Sequence, residues 1–495
     1  MKKTIQFSFI LFTIIVSLTI TINTIALSGG TWVSGIKIQN LNPTEDATIQ
    51  IELRQPNGNL KSTISTLSDG SPLIAPPNKS VEVYLPSYST IESGQYSAVV
   101  MASKEIGSVV TTTNYPYGFA DSYNSMEPNS SVYVPYVYHN HNYYSTEIFI
   151  QNTTDKLVTG NITFTEPSSS SSYGDSGSHT KTVPINIEPY GTQSFDTSSA
   201  DFSDLGWFIG SAKIEVSGDV TVVANQTRLV GSGDIKGNVL ISARGLSSND
   251  AGTKIILPSL YKNFSGSSGT WKSGITVVNS SSQEADVTIN FYSDPDSPSF
   301  SGIKTLSIAP DQSVEVYLPS TILDTSNLIP DQFKGFAVII SNVPIIATVQ
   351  HTNYAAANGY GVAVGYAGFS KGSPKISLPS LYRWPSGAGV WISGIKIQNY
   401  GNNTATFNIT FAADPDSISH INGTKTNITL DTNKAIELYF GNSILDGGGY
   451  IPSGWKGSAL IESASSDAQL VATVIHTNYG RHVATMYTGN PIFLP

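Results

Sequence analysis

Ser34-Gly-Ile-Lys-Ile-Gln-Asn40 returns letter for letter as Ser393-Gly-Ile-Lys-Ile-Gln-Asn399. Weaker copies stand between them, Ser145-Thr-Glu-Ile-Phe-Ile-Gln-Asn152 and Ser273-Gly-Ile-Thr-Val-Val-Asn279. An aromatic residue heads each copy: Trp32, Tyr144, Trp271 and Trp391. The closing asparagines are separated by 112, 127 and 120 residues. Solenoid repeats are roughly 20–50 residues long, so the repeating unit here is a whole domain, present four times.

The third copy shows the grammar of the unit. Trp271 to Asn279 alternates as a strand, and Ala285, Val287, Ile289 and Phe291 line one face of a second. Asp294-Pro-Asp-Ser297 and Pro310-Asp-Gln-Ser313 are turns. Lys304 to Ile308 and Val314 to Pro319 are strands three and four. Gly335 to Ile340, Val343 to Val349 and Gly361 to Tyr366 are strands five to seven. Seven short strands with frequent turns predict a two-sheet antiparallel sandwich.

One further strand is unevenly distributed. Val132-Tyr-Val-Pro-Tyr-Val137, Ile256-Leu-Pro-Ser-Leu-Tyr261 and Ile376-Ser-Leu-Pro-Ser-Leu-Tyr382 precede copies two, three and four, and nothing similar precedes copy one. The chain ends on a segment of the same type, Pro491, Ile492, Phe493, Leu494 and Pro495. Either each domain ends with this strand, or each begins with it. In the second case domain one has a vacant edge and the C-terminus a spare strand.

The succession of Thr-Trp-x-Ser-Gly-Ile-x-x-x-Asn, an alternating strand, a Pro-Asp turn and Val-Glu-Val-Tyr-Leu-Pro resembles the tandem immunoglobulin-like β-sandwich repeats of secreted and cell-surface proteins of bacteria and archaea. The resemblance implies a structural surface module and no particular activity. The expected fold is therefore all-β, with four tandem immunoglobulin-like antiparallel β-sandwich domains at 27–127, 128–250, 251–372 and 373–495.

Residues 1–26 read as a signal peptide. Lys2 and Lys3 are its positive end, Ile5 to Ile22 its apolar run, and Thr24-Ile-Ala26 its cleavage site. An uncleaved anchor is the alternative. The net charge of −10 becomes −12 without those two lysines, and an acidic chain with no basic patch argues against nucleic acid. The absence of cysteine removes disulfides, so packing and hydrogen bonding must hold the domains.

Several motifs could carry chemistry. Asp294 and Asp296, repeated as Asp414 and Asp416, could bind calcium or form plain turns. Gly174-Asp-Ser-Gly177 matches a serine-protease core, but it lies in a serine-rich loop with no base in view. His139 and His141, on one face of a strand, could form half of a metal site, with no third ligand evident. His351 and His476 occupy equivalent positions and read as structural. Lys37, Glu82 and Asn114 are the ingredients of an isopeptide bond, with both charged groups expected on the outer surface. Numerous tyrosines could stack on sugars.

No catalytic residue is nominated, and no enzyme is expected. The expectation is an extracellular rod: a stalk, surface-layer component or filament subunit. It would join itself or other envelope components, with Pro491 to Pro495 adding as a strand to a neighbour. The alternatives are an adhesin or glycan-binding surface protein and an accessory module of a secreted hydrolase.

Overall fold

The structure is a computed structural model. It describes residues 12–16, 32–166, 180–230, 237–266, 269–354, 361–383, 390–478 and 480–492, with side chains from Trp32 onward outside 267–268. The serine run and Gly174-Asp-Ser-Gly177 lie outside the described residues, as do Phe493, Leu494 and Pro495.

The chain is all-β with several antiparallel sheets, and the helical turns among the described residues are short 3-10 segments. Repeat 1 resolves into two sheets. One runs Phe12–Val16, Ser97–Ala102, Ala47–Arg54, Leu60–Ile64, and the other Ser80–Tyr84, Val33–Asn40, Ile106–Asn114, Phe119–Asn124. Alternation drives Ile49, Ile51 and Leu53 of the first sheet onto Ile36 and Ile38 of the second, in one buried cluster. Each such side chain, fully buried, is worth about 1.5–3 kcal/mol over its exposed state. With no cysteine in the chain, these layers do the work of disulfides.

In repeats 2 and 3 the expected fifth and sixth strands are one continuous element, Phe208–Arg228 and Phe333–Asn353. The backbone passes from one sheet to the other without leaving extended geometry, so Ser341-Asn342 makes no turn back.

The closing asparagine of each signature strand is fully buried and does the same work four times. Asn279 donates from Nδ2 to Gln283 O at 2.7 Å and Ile308 O at 2.8 Å, and its Oδ1 accepts from Ser281 N at 3.0 Å. Asn40, Asn152 and Asn399 repeat this pattern. One side chain thus pins a turn and a strand end of the same repeat.

The segment shared by repeats 2, 3 and 4 begins each repeat. Val132 pairs with Ile214, Ile255 with Ile339, and Ile376 with Ile461, each on the fifth strand of the repeat that follows. Its prolines sit at a register shift, as between Leu257 and Leu260, where no ladder hydrogen bond is lost. Tyr366 and Tyr487 clamp that bulge by donating to Ser259 O and Ser380 O, both at 2.6 Å. In repeat 1 the same place is taken by Phe12–Val16, with Ile14 opposite Val100 and Val16 opposite Ala98. Phe12–Val16, which lies within the apolar run read as a signal peptide, is thus an edge strand among the described residues.

The four repeats do not form a rod. Their seventh strands, Phe119–Asn124, Val239–Arg244, Val362–Ala367 and Val483–Thr488, pack in a cycle of one on two, two on three, three on four and four on one. Fully buried Asp121 ties three of them. Its Oδ2 accepts from Ser242 N at 2.7 Å and its Oδ1 from Met486 N at 3.1 Å. The aromatic heads of the signature strands share buried clusters with the following repeat: Trp32 with Leu240, Tyr144 with Ala363, Trp271 with Ala484, and Trp391 with Ala120. The last pairing closes the ring.

Candidate functional site at the seams

Side chains that alternation turns away from a repeat's own core meet the next repeat. Lys37 and Glu82, expected to face solvent, instead face repeat 4: Lys37 is buried and Glu82 largely so. Lys37 pairs with Asp414, which also accepts from Ser80 Oγ, while Lys456 pairs with Glu82 at 3.0 Å and with Asp416 at 2.6 Å. The seam between repeats 3 and 4 repeats this five-residue cluster. Lys396 pairs with Asp294, and Lys334 with Glu437 at 2.7 Å and Asp296 at 2.8 Å.

Burial works against the charge on Lys37, and Asp414 and Glu82 outweigh it, so its ammonium sits above its ordinary range. Burial likewise pushes the Glu82 carboxyl up, and Lys37 and Lys456 more than offset this, so it titrates below its ordinary value. These clusters gather all four aspartates read as calcium candidates, and each of those carboxylates holds a lysine ammonium. Among the described residues no group of three or more His, Asp or Glu could hold a metal ion.

The other two seams lack this cluster. Between repeats 2 and 3, Tyr133 donates to Asp311 at 2.9 Å, Tyr136 to Glu315 at 3.4 Å and Tyr138 to Gln350 at 2.9 Å. Between repeats 1 and 2, Thr192 N donates to Pro56 O at 2.8 Å and Arg54 lies over the Tyr190 ring at 4.3 Å. Phe149 stands in repeat 2 where Lys37 stands in repeat 1, and Glu147, at the position of Gly35, is buried with Oε2 unpaired. Burial first, and the charge of Asp196 second, push its carboxyl up to about 8.

Where repeats 1 and 4 meet, a groove of about 440 Å3 opens to solvent. Repeat 1 contributes Tyr84, Tyr88 and Tyr115, and repeat 4 contributes Tyr382, Trp391 and His476. The paired Glu82, Lys456 and Asp416 lie along it, and Arg481 stacks on Tyr115 at 4.8 Å. His476 Nδ1 meets Ser393 Oγ at 2.8 Å, and Nε2 has no partner. Burial, with Lys37 nearby, holds this ring neutral with a pKa lowered to about 3.

No family model matches the chain, and no curated protein matches it. Two solved structures each match a length close to one repeat. The crystal structure of Thermotoga maritima 1070 is 16% identical over 24% of this chain and 95% of that one, with a TM-score of 0.20. The Anabaena sensory rhodopsin transducer is 22% identical over 19% and 91%, with a TM-score of 0.16. The BSP domain of a biofilm associated protein spans 98% of this chain and 96% of its own at 9% identity and a TM-score of 0.14. Likenesses this slight carry no argument about function.

Of the remaining sequence candidates, His139 is buried, with Nδ1 on Thr197 O and Nε2 against Asn140, while His141 stacks with Tyr138 at 6.3 Å. The two rings serve separate contacts. Within the C-terminal segment, Pro491 and Ile492 pair with Ile376 and Lys375 of their own repeat, and Ser373 Oγ donates to Ile492 O at 2.8 Å. Sequence reading missed the groove because its two walls are some 300–400 positions apart in the chain. The only signal was the surplus of tyrosines at strand ends.

Proposed function

We propose that the chain is a non-catalytic structural protein of the cell exterior, four immunoglobulin-like sandwiches closed into a ring, that joins its neighbours by strand addition at repeat 1. The observation that carries this reading is the pairing of Phe12–Val16 with Ser97–Ala102. Repeats 2, 3 and 4 supply this strand from their own sequence. Repeat 1 draws it from the segment with the composition of a leader. Removal of residues 1–26 would leave Ser97–Ala102 as an edge with unpaired N–H and C=O groups beside a buried apolar layer. Such an edge accepts an extended strand, with backbone hydrogen bonds for affinity and alternate side chains for choice of partner. An envelope location and export follow from the leader-like composition.

The test compares full-length protein with protein beginning at Leu27, by sedimentation and negative-stain microscopy. The shortened chain should associate, and a peptide of residues 10–18 should block association and raise its melting temperature. Monomers that ignore the peptide would sink the reading. Association that survives removal of residues 490–495 would place the donor strand elsewhere than the C-terminus. A second reading, a glycan-binding surface protein, rests on the groove.

A further inference from the structure

We propose that the groove between repeats 1 and 4 is a saccharide-binding site. The inference stands on the groove alone and is independent of strand addition at repeat 1.

Local sequence explains why the groove opens at this seam. At the seam between repeats 3 and 4 the same register positions carry Tyr261, Trp271, His351, Lys334, Glu437 and Tyr439. There, however, Ile475 and Met486 of repeat 4 pack against the core of repeat 3. Repeat 1 has Thr111 and Ser122 at those two positions, joined to each other by a hydrogen bond of 2.8 Å. The aromatic and charged frame is kept while the apolar filling is lost, and the space of about 440 Å3 is what remains.

The contents fit one chemistry. A pyranose ring offers a C–H face and an edge of hydroxyls. Tyr84, 45% exposed, and the half-buried Tyr88, Tyr115 and Tyr382 supply flat partners for such faces. Glu82, Lys456 and Asp416 are already locked in ion pairs, so acceptors and donors for hydroxyls stand in place before a ligand arrives, and little order has to be imposed on binding. His476 lies beside the groove with Nε2 buried and without a partner, as is Nε2 of its counterpart His351 at the seam packed by Ile475. An apolar ligand would leave Glu82, Lys456 and Asp416 unmatched. Concavity with a few convergent polar groups is the general form of a small-ligand site.

The experiment titrates the full chain with cellohexaose, chitohexaose and hexagalacturonate by calorimetry, beside Tyr84→Ala and Thr111→Ile. Thr111→Ile restores the residue repeat 4 carries in the same register, and Tyr84→Ala trims an exposed ring, so both variants keep the native melting temperature. At least one hexasaccharide should bind, and each variant should weaken it by about tenfold or more. No binding of any of the three at millimolar concentration overturns the proposal. So does binding that both folded variants leave unchanged.

Discussion

Lys37 and Asp414 stand 377 positions apart in the chain and meet as a buried ion pair across the seam that closes the ring. Removing one partner of such a pair leaves an uncompensated charge in a dry site, at a cost of about 3–5 kcal/mol. Lys37→Met should therefore lower stability by that order in urea unfolding. Lys37→Met with Asp414→Leu should recover much of the loss, because matched apolar groups can replace a buried pair. A double variant as unstable as the single one would show that the two residues do not meet.

Glu147 gives stability an alkaline weakness. Its folded carboxyl titrates near 8, above its ordinary 4.5, so its neutral form belongs to the folded state. Its contribution is fully present below pH 4.5 and is lost as pH rises through 8. At about 1.4 kcal/mol per unit of displacement this amounts to a few kcal/mol. Glu147→Gln should flatten the fall in melting temperature between pH 5 and pH 8.5. An unchanged pH profile in that variant would place the carboxylate in contact with solvent.

Glu82 acts in the opposite sense. Its carboxyl lies below its ordinary value, so the stability it lends is present above pH 4.5 and is lost as pH falls through the depressed value. Glu82→Gln should therefore reduce acid sensitivity while lowering stability at neutral pH, measured by urea midpoints at pH 3 and pH 7.

The signature asparagines should be among the least replaceable residues. Asn399→Ala strands the carbonyls of Asn403 and Leu430 and the amide of Gly401. The Leu430 carbonyl is buried, and an unsatisfied buried group costs about 1–3 kcal/mol, so a loss of that order in the stability of repeat 4 is the expected result. Hydrogen exchange localised to 391–430 would report it.

Calcium should leave the protein unmoved. Asp294, Asp296, Asp414 and Asp416 each already hold a lysine ammonium. Melting temperatures with calcium and with a chelator should coincide. A rise with calcium that magnesium does not reproduce would show the lysines displaced.

The strand order was legible because it is written in period-two alternation and in turn residues, which act within a few positions. Val81-Glu-Val-Tyr84 and Val314-Glu-Val-Tyr317 proved to be strands against their signature partners, as their patterns imply. The join between strands five and six was not legible at Ser341-Asn342, because a bend that stays extended has no turn chemistry to read. Lys37 looked like a surface charge, since a polar residue opposite an apolar face reads the same whether water or another repeat covers it.

By itself the sequence determined that the chain is all-β, that its unit is repeated four times, and that an asparagine closes each signature strand. These are local properties of alternation, turns and side-chain size. Only the tertiary structure decided that the repeats close on one another, that Phe12–Val16 takes the edge of repeat 1, and that an aromatic groove opens where repeats 1 and 4 meet. Those outcomes depend on which surfaces meet between residues hundreds of positions apart, and burial of charge against charge leaves no mark in the local pattern of either partner.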